Sequence, residues 1–357
     1  MNKKYWSSRI RDVEPYVPGE QPRDRRYIKL NTNENPYPPS KKVSEALKAV
    51  DTDALRLYPD PDCSELVEAM AKSKAIRPGQ VFVGNGSDEV LAFCYLAFMD
   101  DETPAIFPDI TYSFYPVYAA FFGNNARIVP VNEDFTIPVE LLKKNDGTVV
   151  LTNPNAPTGI ALPAETVEEI LRANPDHLVI VDEAYVDFGG ESVVGLIDRY
   201  DNLLVVQTFS KSRSLAGMRI GFAFGNENLI AGLNAVKNSI NSYTLDRMAL
   251  AAAKAAVEDQ AYTDDTCSRI AKTREKSGGK LQELGFTVLP SKTNFLFVNH
   301  REVHASLLFR KLRERGVLVR YFNKPRIDNF LRITVGTEEE MEILVNTLKQ
   351  ILEEEHA

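Results

Sequence analysis

Cysteine is scarce in this sequence. Only three cysteines occur among 357 residues, Cys63, Cys94 and Cys267, and they are far apart with no CxxC pair. An odd and sparse set argues against a disulfide framework and is typical of reduced thiols in a cytoplasmic protein. Cys94 lies in the apolar run LAFCYLAFM, where we expect the thiol to pack in the core. The cysteines therefore favour a cytoplasmic localisation.

Long hydrophobic runs and an excess of positive charge are also missing. No window approaches the roughly 20 apolar residues of a membrane span. The opening MNKKYWSSRIRDVEP lacks the apolar stretch of a signal peptide. Acidic residues outnumber basic residues by 50 to 42, which gives a net charge of -8. Because nucleic-acid binding needs a basic surface, the sequence predicts no nucleic-acid partner. Because a membrane span needs a long apolar run, it also predicts no membrane partner.

The remaining patterns divide the chain into three parts. Residues 1–45 are rich in proline and polar residues, and they predict an extended N-terminal arm that belongs to a small domain. Residues 46–260 alternate helical segments with short runs of Val, Ile and Leu. This alternation predicts an α/β fold, a large domain with a mainly parallel central sheet covered by helices. Residues 261–357 mix charged helices with strands and predict a smaller α+β domain.

Polar motifs follow several of the predicted strands, where ligands of parallel sheets bind. Lys211 follows the strand LLVVQ in the segment TFSKSR. A lysine flanked by Ser and Thr is by itself compatible with a solvated loop. In a pocket near other cations its pKa would fall, and its amine could then form a Schiff base with an aldehyde cofactor. Arg219, eight residues later, could add a second cation that binds phosphate.

Asp182 and Tyr185 end another predicted strand in the segment VIVDEAY. Acidic pairs at strand ends also occur in metal and nucleotide sites, so the pair alone leaves the chemistry open. An aspartate beneath a pyridine ring would keep the ring nitrogen protonated and make the ring a better electron sink. The phenol of Tyr185 could hydrogen-bond the ring oxygen.

Two glycine- or proline-rich turns complete the set of motifs. The segment GNGSDE places Gly86, Ser87 and Asp88 at the start of a helix, where free N–H groups and the helix dipole favour an anion. The same residues also fit an ordinary helix start. The segment NPNAPTG forms a rigid turn, and its asparagines could face a bound ring.

Together these motifs, in this order, resemble those of fold-type I aminotransferases, which bind pyridoxal phosphate and share the aspartate-aminotransferase-like fold. The interval of 29 residues between Asp182 and Lys211 is also similar. The segments LNTNENPYPPS, LYPDPD and FLRITVGT narrow the resemblance to the histidinol-phosphate aminotransferases, over nearly the whole chain. The resemblance implies a transaminase that interconverts histidinol phosphate and 2-oxoglutarate with imidazole-acetol phosphate and glutamate in histidine biosynthesis.

The resemblance also implies roles for individual residues. Lys211, Asp182 and Tyr185 are expected to be catalytic, and Tyr112 is expected to stack on the cofactor ring, although it also fits an ordinary core tyrosine. Many relatives have asparagine directly before PTG, where this chain has Ala156. Asn155 or Asn153 could contact the ring instead, and we expect Asn155 to do so. The expected cofactor phosphate ligands are Gly86, Ser87, Asp88, Thr208, Ser210 and Arg219, with Tyr58 reaching across the interface of a homodimer.

The expected substrate-binding residues are Arg320, Arg332, Tyr16 and Asn33. The planar guanidinium of arginine binds carboxylate or phosphate through two hydrogen bonds, so the two arginines could serve both glutamate and histidinol phosphate. An aromatic amino-acid aminotransferase or a threonine-phosphate decarboxylase on the same scaffold remains open, as does a non-catalytic regulator that binds pyridoxal phosphate.

Metal chemistry is not expected. His300 and His304 are spaced as two ligands on one helical face would be, but no third ligand motif accompanies them. We expect both to lie on a solvated turn.

Overall fold

The computed structural model describes residues 3–11 and 13–355, and the described backbone contains strands and helices from both ends of the chain. The strands are β1 (Ile28–Lys29), β2 (Val81–Gly84), β3 (Ala105–Pro108), β4 (Ala126–Val129), β5 (Thr148–Thr152), β6 (Val179–Asp182), β7 (Leu203–Thr208), β8 (Gly221–Gly225), β9 (Phe286–Val288), β10 (Phe295–His300), β11 (Val317–Leu318), β12 (Arg320–Tyr321) and β13 (Leu331–Thr334).

The α-helices are α1 (Ser8–Arg11), α2 (Lys41–Lys48), α3 (Ser64–Lys74), α4 (Gly86–Phe98), α5 (Tyr115–Phe122), α6 (Ala164–Ala173), α7 (Glu227–Ile240), α8 (Arg247–Val257), α9 (Gln260–Glu283), α10 (Ala305–Glu314) and α11 (Glu338–Glu355). Short 3₁₀ helices span Thr52–Arg56, Pro78–Gln80, Val139–Leu142, Val186–Phe188, Val194–Leu196 and Ala216–Met218. None of the helices in the described ranges is long and apolar enough to cross a membrane.

A seven-stranded sheet in the order β2-β8-β7-β6-β5-β3-β4 forms the centre of the larger part. Strands β4, β3, β5, β6 and β7 run parallel, whereas β8 pairs antiparallel with both β7 and β2. The sheet is therefore mainly parallel, as the alternation of strands and helices predicts. Strand β8 (GFAFG) was not predicted, because its flanking glycines interrupt the run of β-branched residues that marks the other strands.

The central strands are buried on both faces because helices cover the sheet from each side. All six residues of β7 are buried, which explains its nearly continuous apolar sequence. Helix α6 shows how the cover forms: it buries Val167, Ile170 and Leu171, which are spaced three and four residues apart on one face. Helix α4 packs on the opposite face through Val90, Leu91 and Cys94, so the expected core position of Cys94 is confirmed.

The C-terminal part contains a four-stranded antiparallel sheet in the order β12-β13-β10-β9, covered by α10 and α11. The arm joins this part, because β1 pairs in parallel with β11. The segment VLVRYF does not form one continuous strand but is divided at Val319: β11 pairs with β1 and β12 pairs with β13. The domain limits at residues 45 and 260 stay a prediction.

His300 corrects one expectation. Its side chain is buried, with Nε2 3.0 Å from the carbonyl of Leu284, and its Nδ1 accepts hydrogen bonds from the N–H groups of Glu302 and Val303. The expectation of a solvated face was wrong for His300, because the imidazole closes the turn after β10. His304 caps the N-terminus of α10 by accepting from the N–H of Ser306. Within the described residues no cluster of potential metal ligands occurs.

Candidate active site

A cavity of about 360 Å³ lies at the carboxyl ends of the central strands. It is lined in part by the predicted residues Tyr16, Asn33, Ser87, Asp88, Tyr112, Asp182, Tyr185, Thr208, Ser210, Lys211, Arg219, Arg320 and Arg332. Strand register explains why these side chains meet. Thr152 is paired with Asp182 across β5 and β6, and Thr208 is paired with Gly221 across β7 and β8. Motifs that are far apart in the sequence therefore converge at one edge of the sheet.

Asp182 lies at the floor of the cavity and is almost fully buried. Its Oδ2 accepts a hydrogen bond from the hydroxyl of Tyr115 at 2.9 Å, and its Oδ1 accepts from the N–H of Ala184 at 3.1 Å. Burial raises the pKa of Asp182 to about 6, although the hydrogen bond from Tyr115 opposes this rise. The Tyr115 hydroxyl also lies 2.6 Å from Oγ1 of Thr152, so the carboxyl group is held in a fixed orientation.

Lys211 extends into the same cavity. Its Nζ lies 3.3 Å from the carbonyl of Thr32 and 5.8 Å from the centre of the Tyr185 ring. Burial, with a further contribution from the positive charge of Arg332, lowers the pKa of Lys211 to about 8. A lysine with this pKa supplies a substantial fraction of free amine close to neutral pH, which a nucleophile or a base requires.

A cradle for an anion lies at the start of α4. The helix begins at Gly86, and no side chain caps its N-terminus, so the N–H groups of its first turn have no partner within the helix. Gly86 has a φ of +80°, and a Cβ there would approach Nη2 of Arg219 to 2.6 Å. A Cβ on Gly221 would lie only 2.2 Å from the backbone N of Ser87. Gly86 therefore leaves room for the guanidinium of Arg219 beside the helix start, and Gly221 lets β8 pack directly against the backbone there.

Polar side chains surround the same cradle. Nη2 of Arg219 lies 3.0 Å from Oδ2 of Asp88, and the hydroxyl of Thr208 donates to that of Ser210 at 3.0 Å. Tyr112 donates its hydroxyl proton to Oδ1 of Asp88 at 2.8 Å. A helix N-terminus, hydroxyl groups and a guanidinium are the donors that bind phosphate in proteins. Together with Lys211 and Asp182, this donor set fits pyridoxal phosphate.

Arg320 and Arg332 lie directly opposite each other on β12 and β13. Each donates to one carbonyl, Arg320 to Val17 and Arg332 to Asn31, both at 3.1 Å. Neither forms an ion pair with any residue in the ranges 3–11 and 13–355, and Nε of Arg332 is buried without a hydrogen-bond partner. Two adjacent guanidinium groups without a carboxylate are suited to binding an anionic substrate.

The arm closes one side of the cavity through Tyr16. Its ring stacks on Phe114 with 4.2 Å between the ring centres and lies 6.5 Å from the ring of Tyr112. Tyr16 thus reaches the site from a segment that has no regular secondary structure.

Three predicted residues are absent from the cavity lining: Gly86 at the start of α4, Asn155 and Tyr58. Nδ2 of Asn155 donates to the carbonyl of Ile110 and to Oγ1 of Thr158, both at 3.0 Å, so its side chain stabilises the NPNAPTG turn. The cavity is lined at this turn by Ala156, and Oδ1 of Asn155 is buried without a hydrogen-bond partner among the described residues, so contact between Asn155 and the ring stays a prediction. Tyr58 is 76% exposed and stacks on Tyr243 with 4.5 Å between the ring centres.

Several residues of the site were missed. Tyr115 and Thr152 orient Asp182, and Thr32 contacts Lys211. Tyr115 begins α5 and follows Tyr112 across a turn, in which its N–H donates to the Tyr112 carbonyl at 3.2 Å, so nearness in the sequence to a predicted site residue was a usable signal. Thr32 carries no such signal, because it contacts Lys211 through its backbone carbonyl.

Comparison with known proteins identifies the family. The model of the class I and II aminotransferases matches residues 25–348. A histidinol-phosphate aminotransferase of Acinetobacter baumannii is 59% identical over 97% of both chains, and one of Clostridium beijerinckii is 54% identical over 98% of both. The crystal structure of histidinol-phosphate aminotransferase from Sinorhizobium meliloti in complex with pyridoxal-5'-phosphate has a TM-score of 0.84 and 26% identity, over 92% of each chain. This likeness confirms the expected fold, and the chain belongs to the class I and II aminotransferases, in the histidinol-phosphate aminotransferase family.

Proposed function

We propose that this protein is a pyridoxal-phosphate-dependent transaminase that interconverts histidinol phosphate and 2-oxoglutarate with imidazole-acetol phosphate and glutamate, in histidine biosynthesis. The observation that carries the proposal is the convergence of Lys211, Asp182 and the glycine-lined cradle in one cavity at the strand ends. The high identity to histidinol-phosphate aminotransferases over almost the full length supports the choice of substrate.

Different residues around the cavity would bind different groups of the cofactor. When bound, pyridoxal phosphate supplies an aldehyde that condenses with amines and a ring that accepts electron density. The first N–H groups of α4, at Ser87 and Asp88, would bind its phosphate together with Arg219, Ser210 and Thr208. Asp182 would pair with the pyridine nitrogen, Tyr185 would bind the ring oxygen and Tyr112 would stack on the ring.

Lys211 performs amine exchange and proton transfer. With a pKa of about 8, its Nζ can act as the nucleophile that anchors the cofactor. Once a substrate amine displaces it, the same Nζ can remove the proton from the substrate α-carbon and return a proton at the end of the reaction. Asp182 supports this step because its carboxylate stabilises positive charge on the ring nitrogen.

Arg320 and Arg332 would bind the anionic groups of both substrates. Glutamate offers carboxylates and histidinol phosphate offers a phosphate, and a guanidinium forms paired hydrogen bonds with either. Tyr16 closes the same side of the cavity, and its hydroxyl would contribute to binding the phosphate of histidinol phosphate. Because the two arginines lack a carboxylate partner within the described chain, an incoming anion does not have to displace one.

A homodimer is part of the proposal. Leu55, Leu57, Tyr58, Ile240 and Tyr243 are large apolar or aromatic residues with exposed side chains. The stacking of Tyr58 on Tyr243 brings together the two chain segments that carry these residues. An exposed apolar patch of this kind is typical of a protein interaction surface. A second copy covering it would place Tyr58 against the phosphate site of its partner. We further propose a cytoplasmic localisation, which the three free cysteines support.

Steady-state kinetics with a panel of amino donors tests the substrate. We expect purified protein loaded with pyridoxal phosphate to convert histidinol phosphate and 2-oxoglutarate with a kcat/KM far above that for phenylalanine, tyrosine or threonine phosphate. Absence of turnover with histidinol phosphate would refute the substrate. Preferred turnover of phenylalanine or tyrosine would indicate an aromatic aminotransferase, and release of carbon dioxide from threonine phosphate would indicate a decarboxylase.

A further inference from the structure

Asn33 makes contacts that differ from those expected of a substrate-binding residue. It is almost fully buried, and its backbone has a φ of +56°. Its Nδ2 donates to the hydroxyl oxygen of Tyr185 at 3.0 Å, and its Oδ1 accepts from Oγ1 of Thr334 at 3.1 Å. Its carbonyl accepts from Nδ2 of Asn294 at 2.9 Å. The amide therefore binds protein groups at both ends, which leaves little capacity for a substrate.

The direction of the hydrogen bond between Asn33 and Tyr185 determines which further hydrogen bond the phenol can form. A tyrosine hydroxyl has one proton to donate and can also accept. Since the Asn33 amide group is a donor, the Tyr185 oxygen accepts this bond, and its own proton remains available for another partner. The Tyr185 ring is held edge-on against Phe295 with 5.1 Å between the ring centres. The ring position and one hydrogen-bond direction are thus fixed by neighbouring residues.

Within the described part of the chain, no second residue accepts the proton of the Tyr185 hydroxyl. Asn33 is the hydrogen-bond partner of the Tyr185 hydroxyl within residues 3–11 and 13–355. Ala156, from the NPNAPTG turn, belongs to the same buried cluster and lines the cavity, but it offers only a methyl group. The free proton of Tyr185 therefore faces the cavity that contains Lys211.

We propose that Asn33 is a positioning residue that acts through Tyr185: it occupies the acceptor side of the phenol oxygen and directs the phenol proton toward the ring oxygen of the cofactor. The proposal rests on the proposed function, because it requires bound pyridoxal phosphate. A hydrogen bond from Tyr185 would stabilise negative charge on the ring oxygen of the cofactor. That oxygen would then hold less tightly the proton that it shares with the Lys211 nitrogen. Asn33 thereby lowers the pH at which this proton is lost.

The test is a pH titration of the visible absorption of the cofactor-loaded protein. Asn33→Asp is nearly isosteric but replaces the donor by an acceptor, so the phenol proton turns away from the cofactor. We expect the titration midpoint to rise by about one pH unit, the size of one hydrogen bond to a charged group. Asn33→Ala removes the donor without supplying an acceptor, so its midpoint should lie between those of the wild type and Asn33→Asp.

A double-mutant comparison separates the hydrogen bond from the added charge. In the Tyr185→Phe background neither Asn33 substitution should move the midpoint further, because the phenol that transmits the effect is gone. A shift of the same size in that background would overturn the proposal, since it would arise from the charge of the introduced carboxylate. An unchanged midpoint in both single variants would also overturn it. Absence of the visible band in the wild type would instead refute the proposed function.

Kinetics and a matched control address a purely structural role. We expect Asn33→Ala to lower kcat while leaving the KM for glutamate nearly unchanged, whereas loss of a substrate contact would raise KM. Asn294→Ala removes a second buried hydrogen bond to the same arm residue but leaves the Asn33 amide in place. Its midpoint should equal that of the wild type, and a rise equal to that of Asn33→Ala would show that general loosening of the arm is the cause.

Discussion

Replacing Asp182 by asparagine removes a buried carboxyl group from the floor of the cavity, and it should stabilise the protein when no cofactor is bound. Burial raises the pKa of Asp182 from 3.8 to about 6, so the folded state holds the carboxyl proton more tightly than the unfolded state. A carboxyl group with a raised pKa destabilises the fold as pH rises from its unfolded value through its folded value. This shift corresponds to about 3 kcal/mol, fully present above pH 7 and absent below pH 4.

The asparagine side chain fits the existing contacts. Its Oδ1 can accept from the N–H of Ala184, and its Nδ2 can donate to the hydroxyl oxygen of Tyr115, whose proton can pass to Thr152. Denaturant unfolding of the cofactor-free proteins should therefore show Asp182→Asn about 3 kcal/mol more stable than the wild type at pH 8. The difference should disappear near pH 4.

Addition of pyridoxal phosphate should reverse this order. A ligand that binds only the folded state stabilises it by an amount that grows with the logarithm of its affinity, and Asp182→Asn lacks the carboxylate that would pair with the ring nitrogen. Glu183→Gln is the matched control: Glu183 is also buried, with a pKa raised by burial to about 7, but it accepts from Ser192, Val193 and Gln207 outside the cavity. It should keep the gain from the cofactor. A cofactor-free Asp182→Asn protein that is less stable than wild type at pH 8 would refute this reasoning.

Substitutions at four further residues test the site and the proposed dimer interface. Lys211→Ala should abolish transamination and remove the visible absorption band of the cofactor-loaded protein; retention of that band would show that another group anchors the cofactor. Arg332→Ala should raise the KM for glutamate roughly 10- to 100-fold, because hydrogen bonds to a charged group contribute about 1.5–3 kcal/mol. Arg332→Lys should restore little of this loss, because lysine lacks the planar guanidinium with its paired donors. An unchanged KM in steady-state assays would exclude Arg332 from the substrate site. Tyr115→Phe should raise the pKa of Asp182 further and weaken cofactor binding at neutral pH, measured by equilibrium dialysis; equal affinity would separate Tyr115 from this role. Tyr58→Ala should shift the protein toward monomers in sedimentation velocity, and an unchanged sedimentation coefficient would argue against the proposed interface.

The predicted residues that lie at the cavity are those whose position depends on short-range pattern. Strands such as β6 and β7 are continuous runs of buried Val, Ile and Leu, and the polar residues directly after them must lie at the sheet edge. Asp182 is the last residue of β6 and Lys211 lies three residues after β7, so this rule places both at the sheet edge. Gly86 follows from the chemistry of a helix start, because its backbone adopts a φ of +80° that glycine tolerates best.

The residues that sequence reasoning placed wrongly or missed depend on tertiary contacts. The orientation of the Asn155 side chain depends on Ile110 and Thr158, which accept hydrogen bonds from its Nδ2. The division of VLVRYF into two strands depends on the arm, which pairs with β11 over a separation of almost 290 residues. No local sequence pattern predicts such pairings, because each depends on where a distant segment of the chain lies in the fold.

The transfer of an isotope-labelled amino group tests the proposed reaction most directly. The cofactor-loaded protein would be incubated with 2-oxoglutarate and histidinol phosphate that carries nitrogen-15 in its amino group, and the products would be analysed by mass spectrometry. We expect the label to appear in glutamate in a one-to-one ratio with imidazole-acetol phosphate, and to be lost in Lys211→Ala. Unlabelled glutamate, or loss of histidinol phosphate without glutamate formation, would contradict the assignment.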